Sequence, residues 1–190
     1  MTNEEIIWSY LYNKIKNPYG VAALMGNLFA ESSLNPINAN NIKKKLGLTN
    51  EEYTAIIDSN KNDNFITDGI AYGLAQWRYS TRKQGLLLLA RQQNKSIGGL
   101  NLQLEYLWQE LQKYKTVLNT LYTAKNIKEA SDVVLLRYEK PANTSDKVKQ
   151  KRASYGQKYF DKHYKISNIA VSISMKTLEE LKKQLGDIFE

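Results

Sequence analysis

Pro18-Tyr19-Gly20-Val21-Ala22-Ala23-Leu24-Met25-Gly26-Asn27-Leu28-Phe29-Ala30-Glu31-Ser32-Ser33-Leu34-Asn35-Pro36 is the stretch on which the fold turns. Asn17 ahead of Pro18 reads as a cap followed by a first-turn proline, so a helix opens here. Val21, Leu24, Met25 and Leu28 recur at helical spacing, and Asn35-Pro36 stops the run. Glu31 is the only charged residue between Asn17 and Ile42, in a chain that is 24% charged. The stretch therefore predicts an apolar helix with one carboxyl about a turn from its C-terminal end. A carboxyl in apolar surroundings resists ionising, because its charged form loses solvation. The partial negative charge of a helix C-terminus acts in the same direction. An acid that keeps its proton near neutral pH suits acid-catalysed glycoside cleavage, which makes Glu31 the first candidate for chemistry.

Helical signals extend outward from this segment. Thr2 with Glu5 forms a capping box ahead of Ile6, Ile7, Tyr10, Leu11 and Ile15 on one face. Thr49 and Glu52 cap a short helix bearing Tyr53, Ile56 and Ile57. Between Asp58 and Trp77 the punctuation by Asp, Asn, Gly and Thr predicts loops with a small hairpin. Helical periodicity returns at 82–93 and 100–114, then at 126–138 (Asn126 and Glu129 capping, Pro141 ending), and last at 146–164. The tail differs. Ile169, Val171, Ile173 and Met175 alternate with small residues and predict a strand. Thr177 with Glu180 then caps an amphipathic helix carrying Leu178, Leu181, Leu185, Ile188 and Phe189. The organisation expected is a domain over 1–164 and a tail over 165–190. One strand and one helix cannot bury their own apolar faces. The tail is thus expected to dock on the domain, to self-associate, or to begin a binding module.

Composition removes whole classes of chemistry. There is no cysteine and a single histidine, His163. Thiol nucleophiles, disulfides, cysteine metal sites and two-histidine zinc sites are excluded, and no metal or cofactor is expected. A Ser/His/Asp triad would have to use His163, in the Tyr- and Lys-rich end of the last domain helix. Carboxylate chemistry remains. At 42% hydrophobic the chain has material for one good core, and no run approaches the roughly 18 apolar residues of a membrane span. The N-terminus lacks the basic-then-apolar layout of a signal peptide, so the expectation is a protein cytoplasmic before release or carried on a particle. The net charge of +8 arises entirely within 1–164 and suits a polyanion. Basic residues group only at 43–45 and 147–152, without the aromatic interleaving of a nucleic-acid face, so no nucleic acid is expected.

The segment from Gly26 to Pro36 resembles the catalytic-helix motif of the phage tail-type lysozymes, a branch of the lysozyme-like superfamily. Asp68-Gly69-Ile70-Ala71-Tyr72-Gly73-Leu74-Ala75-Gln76-Trp77 followed by Arg82-Lys83 is similar to that family's second block. Gln103-Leu104-Glu105-Tyr106-Leu107 with Glu110-Leu111 is similar to a third, and Tyr138-Glu139-Lys140-Pro141 with Lys151-Arg152-Ala153 to its closing blocks. The match covers about residues 4–164. It implies a mainly α, lysozyme-like helical domain with a small β element beside the cleft. It implies cleavage of the β-1,4 bond between N-acetylmuramic acid and N-acetylglucosamine in peptidoglycan, with Glu31 as catalytic acid. Anionic wall polymers are further candidate partners.

A second carboxylate is needed for a water-using mechanism. Asp68 stands where the matching block carries Asp, and its candidate role is the base; its other reading is a turn residue in Thr67-Asp68-Gly69. A separation from Glu31 of roughly 6.5–9.5 Å means inversion and about 5–5.5 Å retention. Asp58 and Asp63 are weaker candidates in the same region. Glu139 is read as structural, holding Arg152 or another cation, ahead of a catalytic role; Lys140 departs from the Arg usual before that Pro. Gln76 can donate to and accept from acetamido groups, and Trp77 either stacks on a sugar or packs in the core. Tyr72 and Asn35 complete the candidate substrate contacts, and Arg78 replaces a small hydroxyl residue at the cleft edge. Competing readings are a lytic transglycosylase on the same bond and a non-catalytic wall-binding module.

Overall fold

The computed structural model describes residues 1–59, 63–165, 172, 174–177, 179 and 180. Helix α2 (Pro18–Ser32) lies at the centre. Ten of its residues are buried, from Gly20 round to Ser32, so it is apolar on every side, as a core helix is. Asn17 caps it as expected: its Oδ1 accepts from the Tyr19 and Gly20 amides, and its Nδ2 donates to the Tyr122 and Ala124 carbonyls. α1 (Asn3–Ile15), α7 (Lys115–Thr123), α8 (Ile127–Val133) and α9 (Asp146–Phe160) pack around it.

The approach of α9 to α2 depends on two glycines. A Cβ on Gly26 would sit 2.5 Å from the Arg152 carbonyl oxygen, and one on Gly156 2.8 Å from that of Ala22. Without side chains the two backbones touch directly, which brings Arg152 beside the last turn of α2. α2 ends on two consecutive left-handed residues, Ser33 (φ 55°) and Leu34 (φ 60°). A leucine pays a steric penalty there, offset by burying its side chain at 5% exposure.

The chain from 33 to 79 forms a lobe beside the bundle. It holds α3 (Ile42–Leu46), α4 (Asn50–Asp58), whose Thr49/Glu52 capping box forms as expected, and a 3₁₀ turn at Asp63–Ile66. The small β element is reduced to two isolated bridges, Ala39 to Tyr72 and Tyr72 to Trp77. Gly73 (φ 77°) and Gln76 (φ 46°) fold the chain back between Tyr72 and Trp77 too tightly for a second rung. α5 (Ser80–Gln93) and α6 (Leu100–Leu111) join lobe to bundle. Gln103 on α6 is fully buried. Its amide donates to the Pro36 and Ile97 carbonyls and its Oε1 accepts from the Leu74 amide, locking three loop segments together.

α8 runs into a π-helical turn, Val134–Glu139, and α9 into another, Asp161–Lys165. The last turns of the domain return to its first: His163 stacks on Trp8 with ring centroids 4.9 Å apart and bonds to Glu4, which also pairs with Lys162. The architecture is mainly α, with essentially no strand among the described residues. The strand expected at 169–175 is corrected where it is described, since 172, 174 and 175 are helical. A strand needs a partner edge for its backbone groups, whereas a helix satisfies its own. Thr177 lies within this helical run instead of opening a new helix. Ile169, Val171, Ile173 and the apolar residues Leu178, Leu181, Leu185, Ile188 and Phe189 lie outside the described residues, and with them the docking and self-association expected of the tail.

Candidate active site

A cleft of about 670 Å³ opens between the C-terminal end of α2 and the chain from 71 to 82. Ala30, Glu31, Gln76, Arg78, Arg82 and Glu139 are among the residues that line it.

Glu31 is on the cleft wall, with 19% of its side chain exposed. Its Oε1 accepts from Arg152 Nη2 at 2.5 Å. Arg152 is held by the glycine-mediated approach of α9 and by longer contacts of 3.3–3.4 Å to Asn27. Asn27 is itself fixed, its amide donating to the Ala23 carbonyl and to Ser131. The environment read from the sequence is corrected here. Leu28 and Leu34 turn into the core, while the Glu31 carboxylate meets a guanidinium supplied 121 residues away.

Glu139 ends the π-helical turn, where Lys140 (φ 50°) leaves the helix. Its Oε1 is buried and has no hydrogen-bond partner. Burial, and then the negative charge of Glu31, push its pKa up to about 8, against the opposing pull of Arg82 and Arg152. The sequence reading of Glu139 as the holder of Arg152 is corrected, because Arg152 bonds to Glu31 and Asn27 instead.

Two further acids, Glu110 and Asp68, are saturated. Glu110 on α6 accepts twice from Arg82, at 2.8 and 2.9 Å, and also from Trp77 Nε1 at 2.6 Å and Tyr138 at 2.8 Å. Burial works against its charge, but Arg82, Trp77 and Tyr138 together hold its pKa below the usual range. Asp68 accepts from Lys83, from the Tyr53 hydroxyl and from the Ile70 amide. Lys83 is completely buried, and its Nζ lies 4.1 Å from the centre of the Phe65 ring. Burial lowers the pKa of Lys83, with Asp68 opposing. Asp68 is thus the counter-ion of an interior lysine and does not line the cleft with Glu31. Asp58 caps the Ile97 amide, and Asp63 begins the 3₁₀ turn.

Of the substrate contacts read from the sequence, Gln76 alone lines the cleft, its amide donating to the Asn38 and Gly73 carbonyls. Trp77 is buried, bonded to Glu110 and edge-on to Tyr106, which is the core alternative foreseen for it. Tyr72 is buried with its hydroxyl 2.7 Å from Thr54 Oγ1. Asn35 accepts from the Ile37 amide in the turn after α2. The sequence reading ranks Glu139 as structural ahead of catalytic, and the cleft contributions of Lys140 and Tyr79 escape it. Among the described residues no three His, Cys, Asp or Glu side chains gather as a metal site would require.

A family model described as Phage tail lysozyme matches residues 2–163. No curated protein matches the chain.

Proposed function

We propose that this chain, which belongs to the phage tail lysozyme family, cleaves the β-1,4 bond between N-acetylmuramic acid and N-acetylglucosamine by carboxyl catalysis in the cleft bearing Glu31. The family implies peptidoglycan-degrading, lysozyme-like activity and phage-associated action on the cell wall. The observation that carries the finer reading is the pairing of two carboxyls, Glu31 and Glu139, in one open cleft beside Gln76. Two carboxyls across a scissile bond are the usual equipment of glycoside hydrolysis. Gln76 and the backbone around it offer polar contacts to acetamido groups, and the excess of positive charge draws the enzyme to anionic wall polymers. No helix among the described residues is long and apolar enough to cross a membrane.

The test is digestion of purified peptidoglycan followed by mass spectrometry of the fragments. Hydrated reducing N-acetylmuramic acid ends are expected, and none from Glu31→Gln. The second reading, a lytic transglycosylase, is favoured by the commitment of Asp68 to Lys83 and Tyr53, which leaves Asp68 unable to hold a water at the sugar. Its product is a 1,6-anhydro end, lighter by one water. Wall left uncut by the wild type overturns both readings.

A further inference from the structure

A pocket of about 440 Å³ outside the cleft is lined from the start of α7 and from the π-helical turn after α8. Lys113, Lys115, Arg137 and Lys140 line it together with Tyr114 and Leu136, and no acid does. The four cations come from two stretches of chain that only the fold brings together. Among the described residues none of them forms an ion pair, whereas Arg82, Lys83, Lys128 and Arg152 each hold a carboxylate. Like charges gathered without an acid repel one another, and a surface meant only for solubility avoids this by mixing signs. Lys113, Lys115 and Arg137 are exposed. Leu136, 43% exposed, adds an apolar patch to the same pocket.

We infer that this pocket binds a phosphodiester polymer carried on the wall glycan, as a site separate from the cleft. The placement rests on the reading that the cleft seats that glycan. Lys140 lines both the cleft and the pocket, so a charged branch on a glycan in the cleft has a direct way to the four cations. The choice of phosphate follows from three lysines to one arginine. An ammonium meets phosphate oxygens as a point charge, whereas flat carboxylates are gripped best by the guanidinium fork. A chain with one permanent charge per repeat engages several cations at once, and its polyol links can rest on Leu136. A nucleic acid fits less well, because its bases need open ring faces to stack on. The Tyr114 ring meets Tyr138 edge to face, with centroids 5.3 Å apart, and Lys140 Nζ lies 5.9 Å from its centre.

The experiment compares wild type with a pocket variant, Lys113→Gln/Lys115→Gln/Arg137→Gln, and with a control that removes as many charges from α3, Lys43→Gln/Lys44→Gln/Lys45→Gln. Binding of poly(glycerol phosphate) at low salt is measured directly. The pocket variant is expected to bind about 10-fold more weakly or worse, and the control to stay within about threefold of wild type. Rates are then compared on intact wall and on wall extracted with hydrofluoric acid, which splits phosphodiesters and leaves the glycan and its peptides. The pocket variant is expected to be slower by about fivefold on intact wall and equal to wild type on extracted wall, because none of its three positions lines the cleft. Equal weakening by both variants reduces the effect to net charge and overturns the site. Tighter binding of a polygalacturonate or a single-stranded oligonucleotide of matched charge overturns the phosphodiester assignment. Wild type that cuts wall and binds no polymer overturns the site while the hydrolase reading stands. Pocket-dependent binding by a wild type that cuts neither wall overturns the hydrolase reading while the site stands.

Discussion

The lobe and the cleft each hold a carboxylate against a cation, and the two differ in what else surrounds them. In the lobe, Asp68 meets Lys83, Tyr53 and the Ile70 amide, so both its oxygens are occupied. In the cleft, Glu31 has Arg152, and the neighbouring Glu139 has an orphaned oxygen. Saturated acids hold elements together: Asp68 ties α4 to α5, and Glu110 gathers Arg82, Trp77 and Tyr138. Chemistry needs acids with capacity left over, and the cleft holds two acids that are not saturated in this way. Residue type and motif position rank Glu31 first and leave Asp68 between a base and a turn residue; the count of partners separates them further.

The sharpest way to break that contrast is to neutralise both acids. Glu31→Gln is expected to reduce lysis by about 1,000-fold with unchanged melting, and Asp68→Asn to stay within about threefold in rate while melting lower. A folded Asp68→Asn protein as inactive as Glu31→Gln would erase the distinction. Lys83→Met leaves Asp68 as an unpaired interior charge and should cost about 3–5 kcal/mol in chemical denaturation; adding Asp68→Asn should recover part of it. Gly156→Ala presses a methyl against the Ala22 carbonyl and should cost about 1–3 kcal/mol. It should also slow lysis, since Arg152 moves with α9.

The two buried acids bracketing Arg82 should show opposite pH dependence. The pKa of Glu110 is depressed in the fold, so its contribution is present above the ordinary carboxylate pKa and lost as pH falls through the folded value. The deficit of Glu110→Gln, about 2 kcal/mol near neutrality, should shrink in acid. Glu139 is raised, so its contribution is present below the ordinary value and lost as pH rises through about 8. Glu139→Gln should therefore melt higher than wild type at pH 9 by about 2–4 °C, and no higher at pH 4. Parallel melting curves for the two variants would show that both acids are alike.

Local chemistry was legible in the sequence wherever it is self-contained. The Thr2/Glu5 and Thr49/Glu52 capping boxes and the Asn17-Pro18 start act within a few residues, and all three form. The cleft position of Glu31 follows from where α2 stops. Partners distant in the chain were not legible. Nothing near Glu31 announces Arg152, and nothing near Trp77 says that Glu110 will bury it. α7 escaped notice because its N-cap residue, Tyr114, makes no side-chain cap. α3 is a single turn with three lysines in succession. At 172, 174 and 175 the alternation misled, because it reads as a strand only when an edge waits for it.

The clasp of His163 and Lys162 on Trp8 and Glu4 brings the first and last turns of the matched region to the same corner. A fold buckled in this way travels well as cargo. Fused at either side, or spliced into a loop of a larger host, it needs only a short tether on each flank, and pulling on those tethers loads the buckle before the cleft beside α2.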